Sequence, residues 1–230
     1  MKAPVCTHCE NENKLFCQLS QLELEGFSQH KKFLHFNKGE PIYTAGKRAH
    51  GLYCIYRGKV KTAISGGNGR DVITRLYNVG EVFGYDPLLS ETCHHSSAIA
   101  LEETFVCKIS GKKFLSTLKN NSDLSSKIMY LLVKDLKNSE RNIVLQAHIP
   151  VRKKLASTLI RLHKKYGFEN DGKTLSVKLT RREIAEMAGT TTESSIRGLN
   201  RLANEEFIIL KGKKIIIPSL KALLDLATTH

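Results

Sequence analysis

Residues 179–197 read LTRREIAEMAGTTTESSIR, and their pattern is the most informative in the chain. Thr180 and Glu183 have the S/T-x-x-E spacing of a capping box, in which the two residues satisfy free backbone amides at a helix start. Gly189 permits the sharp turn that joins two helices. The order of capped helix, glycine turn and second helix predicts a helix-turn-helix.

The second helix of this motif carries side chains that suit base recognition. An outward Arg197 can donate a bidentate pair to guanine, and an outward Glu193 can accept from cytosine N4. The spacing predicts that three apolar residues lie mostly inward: Ile196, Leu199 and Leu202. Taken alone, Glu193 also fits a second capping box, and Arg197 also fits a solvated helix position.

A basic hairpin follows, with Lys211 and Lys213 on either side of Gly212. Lysines on such a wing suit contacts with phosphates. They would also protect an exposed edge strand from pairing. The ordered set of two helices and a basic wing favours DNA binding over each of these separate alternatives.

Residues 122–147 predict one long helix, which begins near Ser122 and is ended by Pro150. Apolar residues recur along it at the spacing of a dimeric coiled-coil seam: Ile128, Leu132, Leu136 and Ile143. Ser139 and Glu140 interrupt this seam. Because a polar interruption costs stability, we expect a weak and switchable dimer.

The region from Phe33 to about Ser110 has short apolar runs separated by glycines. Its typical strands are residues 52–56, 59–64 and 72–76. Short strands punctuated in this way indicate an antiparallel β-sandwich or barrel. Outside this region we predict three further elements: helices at 20–31 and 151–166 and a strand at 175–179.

The chain has 230 residues, enough for two domains, and a formal net charge of +14. Such a surplus favours a polyanionic partner, most commonly nucleic acid. No apolar run is long enough to cross a membrane and the N-terminus lacks a signal-peptide core, so we expect a cytoplasmic protein without a membrane partner. Nucleotide-binding fingerprints and a nucleophile elbow are missing, so we expect no enzyme.

The chain resembles the Crp–Fnr family of transcription regulators over nearly its whole length. Besides residues 179–197, Leu52-Tyr53 with RGKVK at 57–61 resembles the family's strand pair, and GEVFG at 80–84 resembles its turn. The resemblance implies an α+β fold with an N-terminal cyclic-nucleotide-binding-like β-roll, a long dimerisation helix and a C-terminal winged helix-turn-helix. Four parts result: a Cys-bearing arm at 1–18, the effector-sensing β-roll at 19–121, the dimerisation helix at 122–148 and the DNA-binding domain at 149–230.

The same resemblance implies a homodimer that binds double-stranded DNA and acts on RNA polymerase. Glu193 and Arg197 would read bases, while Thr180 and Arg181 would hold phosphates. The other expected DNA contacts lie at the start of the second helix and on the wing: Thr191, Thr192, Ser194, Lys211 and Lys213. The family's oxygen sensor has a Ser that helps to read its operator where this chain has Ile196.

Cyclic-nucleotide-binding members hold the sugar-phosphate with a Glu just after the turn and an Arg before Ser-Ala. Tyr85 and Ser96 occupy those places here. Without the Arg, a cyclic phosphate lacks its charge-assisted partner. We therefore expect no cyclic nucleotide to bind.

Oxygen-sensing members hold a [4Fe–4S] cluster with N-terminal cysteines and one distant cysteine in the β-roll. Four thiolates are the usual complement of such a cluster. The resemblance implies a cluster on four of the six cysteines: Cys6, Cys9, Cys17 and Cys107. The gap from Cys9 to Cys17 is longer than in the best-known oxygen sensor. Cys54 and Cys93 are expected to be structural or incidental.

The residues themselves leave other interpretations of these cysteines open. Zinc is one, with His8 near the N-terminal pair. Cys107 also fits a small residue buried in the core. A regulator without a cluster would be effector-independent, thiol-switched, or responsive to haem or another small ligand, with His94-His95 as the haem candidate.

Overall fold

A computed structural model describes residues 6, 15–16, 19–66, 71–147 and 149–228 of the chain. Two compact units compose it, one formed by residues 1–64 with 75–137 and the other by 65–74 with 138–230. No helix within these described ranges is long and apolar enough to span a lipid bilayer.

Within the described N-terminal residues, eight strands form two four-stranded sheets, as the glycine-punctuated pattern predicted. Their bounds are β1 Lys31–Phe36, β2 Pro41–Tyr43, β3 Gly51–Arg57, β4 Val60–Ser65, β5 Asp71–Tyr77, β6 Val82–Phe83, β7 Ser97–Ala100 and β8 Thr104–Ser110. The strand order is β1-β8-β3-β6 in one sheet and β2-β7-β4-β5 in the other. β8 pairs antiparallel with both β1 and β3.

The sheet β1-β8-β3-β6 packs on both faces. One face meets the other sheet across an apolar interior that contains Ile55 and Val106. The opposite face carries Cys54 and Cys107, because successive side chains of a strand point to opposite sides. That second face is covered by helices: α1 Gln21–Gln29, α3 Gly111–Asn120 and the start of α4 Ser122–Ala147, while α2 Asp86–Leu89 follows β6.

Helix α4 occupies the range that the sequence predicted, but one of the four residues predicted for its dimer seam is not on the exposed face. Ile128 was predicted for the dimer seam, yet it is only 3% exposed and packs in the core of its own unit. It lies four residues after the buried Leu124, so both project from the inward side of the helix. The exposed apolar face instead contains Met129, Leu132, Val133, Leu136 and Ile143.

The C-terminal unit contains helices packed around α5, with a two-stranded hairpin. The bounds are α5 Val151–Tyr166, α6 Arg181–Ala188, α7 Thr192–Asn204, β9 Ile209–Lys211, β10 Lys214–Ile216 and α8 Leu220–Thr228. Helix α5 has the predicted bounds. Gly198 lets α7 lie close to α5, since a Cβ at this position would be 2.4 Å from Leu155 Cδ1.

The strand predicted at residues 175–179 is wrong. Leu175 and Ser176 donate single backbone hydrogen bonds to two different places, the carbonyls of Ile215 and Gly167, so no ladder forms. The alternation that suggested a strand arises because Leu175, Val177 and Leu179 are buried while the residues between them are not.

Candidate nucleic-acid interface

The first helix of the helix-turn-helix, α6, begins as its sequence predicted. Thr180 Oγ1 accepts from the Glu183 amide at 3.1 Å, and Glu183 Oε2 accepts from the Thr180 amide at 2.8 Å. Both halves of the capping box are therefore made. Gly189 ends the helix with φ of 61°, a left-handed conformation that favours glycine. The turn residue thus sets the direction in which α7 leaves.

Helix α7 starts one residue after its cap, Thr191, whose Oγ1 accepts from the Ser194 amide at 3.0 Å. Ser194 is therefore part of the cap, as well as one of the predicted DNA contacts. Glu193 and Arg197 are exposed, four residues apart and so on one face of the helix. This agrees with the outward orientation that base reading requires.

The inward stripe of α7 differs from the prediction at one position. Ser195, Leu199 and Leu202 are buried, at spacings of four and three residues. Ile196 was predicted to face inward, but it is 41% exposed. Ser195, which is fully buried, occupies the inward position instead.

Two lysines and an arginine surround the tip of the wing. Lys211 and Lys213 are exposed on either side of Gly212, which has φ of 59°. Arg181 donates from Nη2 to the Gly212 carbonyl at 3.2 Å, so α6 and the wing are joined directly. Lys214 differs, since its Nζ lies 2.8 Å from Glu169 Oε2. The wing therefore presents the two lysines that the sequence singled out.

Neighbouring arginines are engaged in ion pairs along their helices. Arg182 Nε lies 2.8 Å from Glu186 Oε1, and Arg201 Nε lies 2.9 Å from Glu205 Oε1. Arg197, by contrast, points Nη2 towards the Ser194 hydroxyl at 3.5 Å. A hydroxyl neighbour competes weakly for a guanidinium, so Arg197 is suited to exchange this contact for a base edge.

In the β-roll, Tyr85 stands where cyclic-nucleotide-binding members have an acidic ligand residue, and it forms an internal contact. Tyr85 donates its hydroxyl to the carboxylate of Asp135 on α4, and Arg75 Nη1 lies 3.2 Å from Asp135 Oδ2. Burial and the neighbouring Asp135 raise the pKa of Tyr85, so it stays protonated and acts as a donor. Ser96, which stands where those members have an arginine, is buried directly before β7. Sequence reasoning missed Asp135 because it lies far along the chain.

The described cysteines lie on one face of the β-roll, apart from the exposed Cys93. Cys107 on β8 is directly opposite Cys54 on β3, and both belong to the apolar core beneath the helices. Cys6 packs against this same core. Cys9 and Cys17 lie outside the described residues. Among those that are described, no three His, Cys, Asp or Glu side chains are grouped as a metal site.

Two contacts hold Cys6 in place. Its amide donates to Ser28 Oγ at 2.9 Å, and Lys31 Nζ donates to Cys6 Sγ at 3.4 Å. Ser28 belongs to α1 and Lys31 opens β1, so the anchor consists of ordinary β-roll residues. Cys54 was expected to be structural or incidental; it is buried in the core, and the strand register places it opposite the predicted ligand Cys107.

A β-roll followed by a helix-turn-helix with a basic wing defines a DNA-binding transcription regulator. The cyclic nucleotide-binding domain family matches residues 33–121, and the Crp-like helix-turn-helix domain family matches residues 153–226. The chain belongs to the Crp–Fnr family of transcription regulators. It is accordingly a regulator and not an enzyme.

Known relatives agree with this assignment. An anaerobic regulatory protein of Pasteurella multocida is 27% identical over 235 residues, covering 96% of this chain and 83% of the relative. The cAMP-activated global transcriptional regulator CRP of the same organism is 28% identical, covering 84% of this chain and 93% of the relative. The solved structure of FixK2 from Bradyrhizobium japonicum has the same fold, with a TM-score of 0.77 at 20% identity, covering 87% of this chain and 98% of that one.

Proposed function

We propose that this regulator senses oxygen through a [4Fe–4S] cluster on Cys6, Cys9, Cys17 and Cys107. The observation that carries the proposal is the packing of Cys6 against the core that contains Cys107, although the two are far apart in sequence. A thiol from the N-terminal arm and a thiol from the β-roll thus contribute to the same apolar core. When bound, the cluster itself would be the oxygen-sensitive group, since oxygen dismantles it.

The residues that are described fit this group chemically. Cysteine thiolates are the ligands of such clusters, and a buried apolar surround limits the access of solvent. Lys31 Nζ donates to Cys6 Sγ at 3.4 Å, so a cationic side chain lies beside this sulfur. Ser28 supports the proposed ligand Cys6 from outside the cluster, since its hydroxyl accepts from the Cys6 amide and fixes the backbone there.

The extent of the sequence matches supports the same conclusion. The match to the anaerobic regulatory protein leaves out only about nine residues of this chain, so it includes part of the arm at 1–18. The match to the cAMP-activated regulator covers only 84% of the chain. The likeness to the anaerobic regulator is therefore the more extensive of the two.

We further propose that no cyclic nucleotide binds. Tyr85 stands where nucleotide-binding members have an acid, and its hydroxyl is engaged with Asp135. Arg75 is paired with the same carboxylate. A cyclic phosphate would have to displace these internal contacts without the arginine that Ser96 replaces.

The protein would bind DNA as a homodimer and act on RNA polymerase, as the family resemblance implies. The exposed face of α4 supports a dimer, since its apolar side chains would be buried by a second copy. Two copies of α7 would then address half-sites about one helical turn apart. A two-fold operator is the expected target.

The test of the sensor is the visible spectrum, iron and sulfide content of protein purified without oxygen. We expect a brown protein with four iron and four sulfide per chain, bleached by air with loss of operator binding. Cys107→Ser should abolish colour and iron, while the matched control Cys93→Ser, at an exposed cysteine, should retain both.

Cys54→Ala tests which of the two core cysteines is the ligand, because Cys54 lies opposite Cys107. We expect it to keep the iron. If Cys54→Ala loses iron and Cys107→Ala keeps it, the ligand assignment is wrong. Colourless, iron-free protein that binds its operator in air and without oxygen alike would overturn the cluster proposal. Stoichiometric zinc or a haem spectrum would overturn it in favour of those groups.

A further inference from the structure

Two thiols face each other across the sheet β1-β8-β3-β6. Cys54 on β3 and Cys107 on β8 are directly opposite, in a register that is regular from Gly51 to Ile55. Both side chains belong to the same apolar core, and so they project from the same face of the sheet. The proposed function uses Cys107 and gives no role to Cys54.

The hydrogen-bonding pattern fixes the spacing of the two backbones. Gly111 donates its amide to the His50 carbonyl at 3.0 Å, which makes these residues a hydrogen-bonded pair at the end of the ladder. Such pairs recur at every second position of an antiparallel ladder, and Cys54 and Cys107 lie four positions further along. Their Cα atoms are therefore about 5.5 Å apart.

This spacing fits a disulfide bond. Disulfide-linked residues usually have Cα atoms about 5.5–6 Å apart, whereas their Cβ atoms must approach to about 3.5–4.5 Å. The Cβ atoms of opposite residues in a sheet are about 4.5–5.5 Å apart, and hydrogen-bonded pairs have the wider separation. The two Cβ atoms would have to approach by about 1 Å, so the bond would be strained and readily reduced.

The position of the pair also selects its reaction partners. Cys54 is 9% exposed and Cys107 is 7% exposed. Leu52 and Ile109, two residues away on the same strands, are at most 1% exposed. A small oxidant such as a peroxide reaches thiols of this exposure more easily than a protein does. In a reducing compartment, disulfides are usually transient and act in redox sensing, and a strained bond is of this labile kind.

We propose that Cys54 and Cys107 are a modification site, at which hydrogen peroxide forms a reversible cross-strand disulfide. In the first step, one thiolate displaces hydroxide from the peroxide and becomes a sulfenic acid. In the second step, the opposite thiol attacks that sulfur, the S–S bond forms and water leaves. The thiol proton and the hydroxide combine, so the peroxide is reduced to two molecules of water. Two equivalents of a small thiol reduce the bond again and are themselves oxidised to a disulfide.

The disulfide removes Cys107 from the proposed cluster, because a sulfur in a disulfide offers no thiolate to iron. Peroxide would therefore prevent the assembly of a new cluster until the bond is reduced. This consequence rests on the proposed function, whereas the pairing itself requires only the strand register.

The test uses the full-length, metal-free protein, so that the pairing is measured apart from the cluster. Fully reduced protein is treated with graded hydrogen peroxide, quenched in acid, alkylated and digested, and its disulfides are mapped by mass spectrometry. Cys54→Ala removes one member of the pair. The matched control is Cys93→Ser, at an exposed cysteine.

In wild type and Cys93→Ser, we expect a peptide that links Cys54 to Cys107, and added glutathione should restore both thiols. In Cys54→Ala, Cys107 should remain available for alkylation. A Cys107 linked instead to a cysteine of the arm would overturn the inference. The same holds if Cys54 and Cys107 both remain reduced while Cys93 is oxidised.

A second measurement separates the disulfide from the cluster. Reduced and peroxide-treated proteins are supplied with ferrous iron and sulfide without oxygen. We expect reduced wild type and peroxide-treated Cys54→Ala to bind iron, and peroxide-treated wild type to bind it only after glutathione. Iron uptake by none of them, with the disulfide mapped, would overturn the cluster and leave the pairing intact. Uptake by disulfide-linked wild type, or its equal loss in peroxide-treated Cys54→Ala, would overturn the consequence for Cys107.

Discussion

The close approach of α7 to α5 at Gly198 predicts how firmly the DNA-reading helix is held. A Cβ at this position would lie 2.4 Å from Leu155 Cδ1, and Leu155 is fully buried. Apolar carbons pack at about 3.5–4.0 Å, so the helices or the Leu155 side chain would have to move by about 1–1.5 Å. Gly198→Ala therefore forces a displacement in a packed core.

Two opposing effects set the change in stability that Gly198→Ala causes. Overpacking a core typically costs about 1–3 kcal/mol, whereas alanine exceeds glycine in helix propensity by about 1 kcal/mol. The required displacement is large and Leu155 is fully buried, so the upper part of the overpacking range applies. We expect Gly198→Ala to destabilise the C-terminal unit by about 1–2 kcal/mol.

Gly26 of α1 provides the matched control. A Cβ there would meet only the end of the Lys113 side chain, with Cε at 2.7 Å. A flexible lysine can swing aside, so the propensity effect remains. Gly26→Ala should be neutral or stabilising by up to about 1 kcal/mol.

Hydrogen exchange followed by mass spectrometry measures both changes in the intact chain, since peptides from α7 and α1 report separately. At 1–2 kcal/mol, amides of α7 should exchange about five- to thirtyfold faster in Gly198→Ala. Amides of α1 should be unaffected by that substitution. Unchanged or slower exchange in α7 would refute the argument, because the close approach would then carry no cost.

Four further predictions concern other parts of the chain. Thr180→Ala removes half of a capping box and should destabilise the C-terminal unit by about 0.5–2 kcal/mol in thermal unfolding. Glu140→Leu fills the gap in the apolar face of α4 and should shift sedimentation towards dimer; an unchanged profile would contradict the seam. Tyr85→Phe should weaken the attachment of α4 to the β-roll, detected as faster amide exchange in α4, and unchanged exchange would count against that link. Hydrogen bonds from Thr174 and Lys173 lower the pKa of Asp171 to about 2. The stabilising effect of the ionised carboxylate is therefore present above its ordinary pKa near 4 and is lost as pH falls towards 2. Asp171→Asn should reduce the loss of the free energy of unfolding over this pH range.

Local signals in the sequence predicted much of the C-terminal unit. Helix α5 is bounded by Pro150 and Gly167, residues that end or begin helices for backbone reasons, and its predicted range was confirmed. The capping box at Thr180 and the left-handed turn at Gly189 also follow from local chemistry. By contrast, α3 was not predicted, because it opens with Gly111 directly after β8 and its cap Ser110 makes no side-chain hydrogen bond.

The features that escaped the sequence depend on partners distant in the chain. Cys54 meets Cys107 through the register of β3 and β8, and no local pattern encodes that register. Tyr85 finds Asp135 for the same reason. The prediction that Ile196 lies inward failed because hydrophobic periodicity favours isoleucine at the inward position. The small polar residue Ser195 occupies that position instead.

The carboxylate of Asp135 has a consequence for any anionic effector of the β-roll. It is covalently tethered beside Arg75, at 3.2 Å, and so acts as a built-in competitor for that guanidinium. Although Asp135 is distant in sequence, the fold holds it in place, and such a group has an effective concentration of at least the order of millimolar that a short flexible linker gives. A free anion of equal intrinsic affinity would have to reach that concentration to displace it, and a micromolar signalling molecule would be outcompeted about a thousandfold.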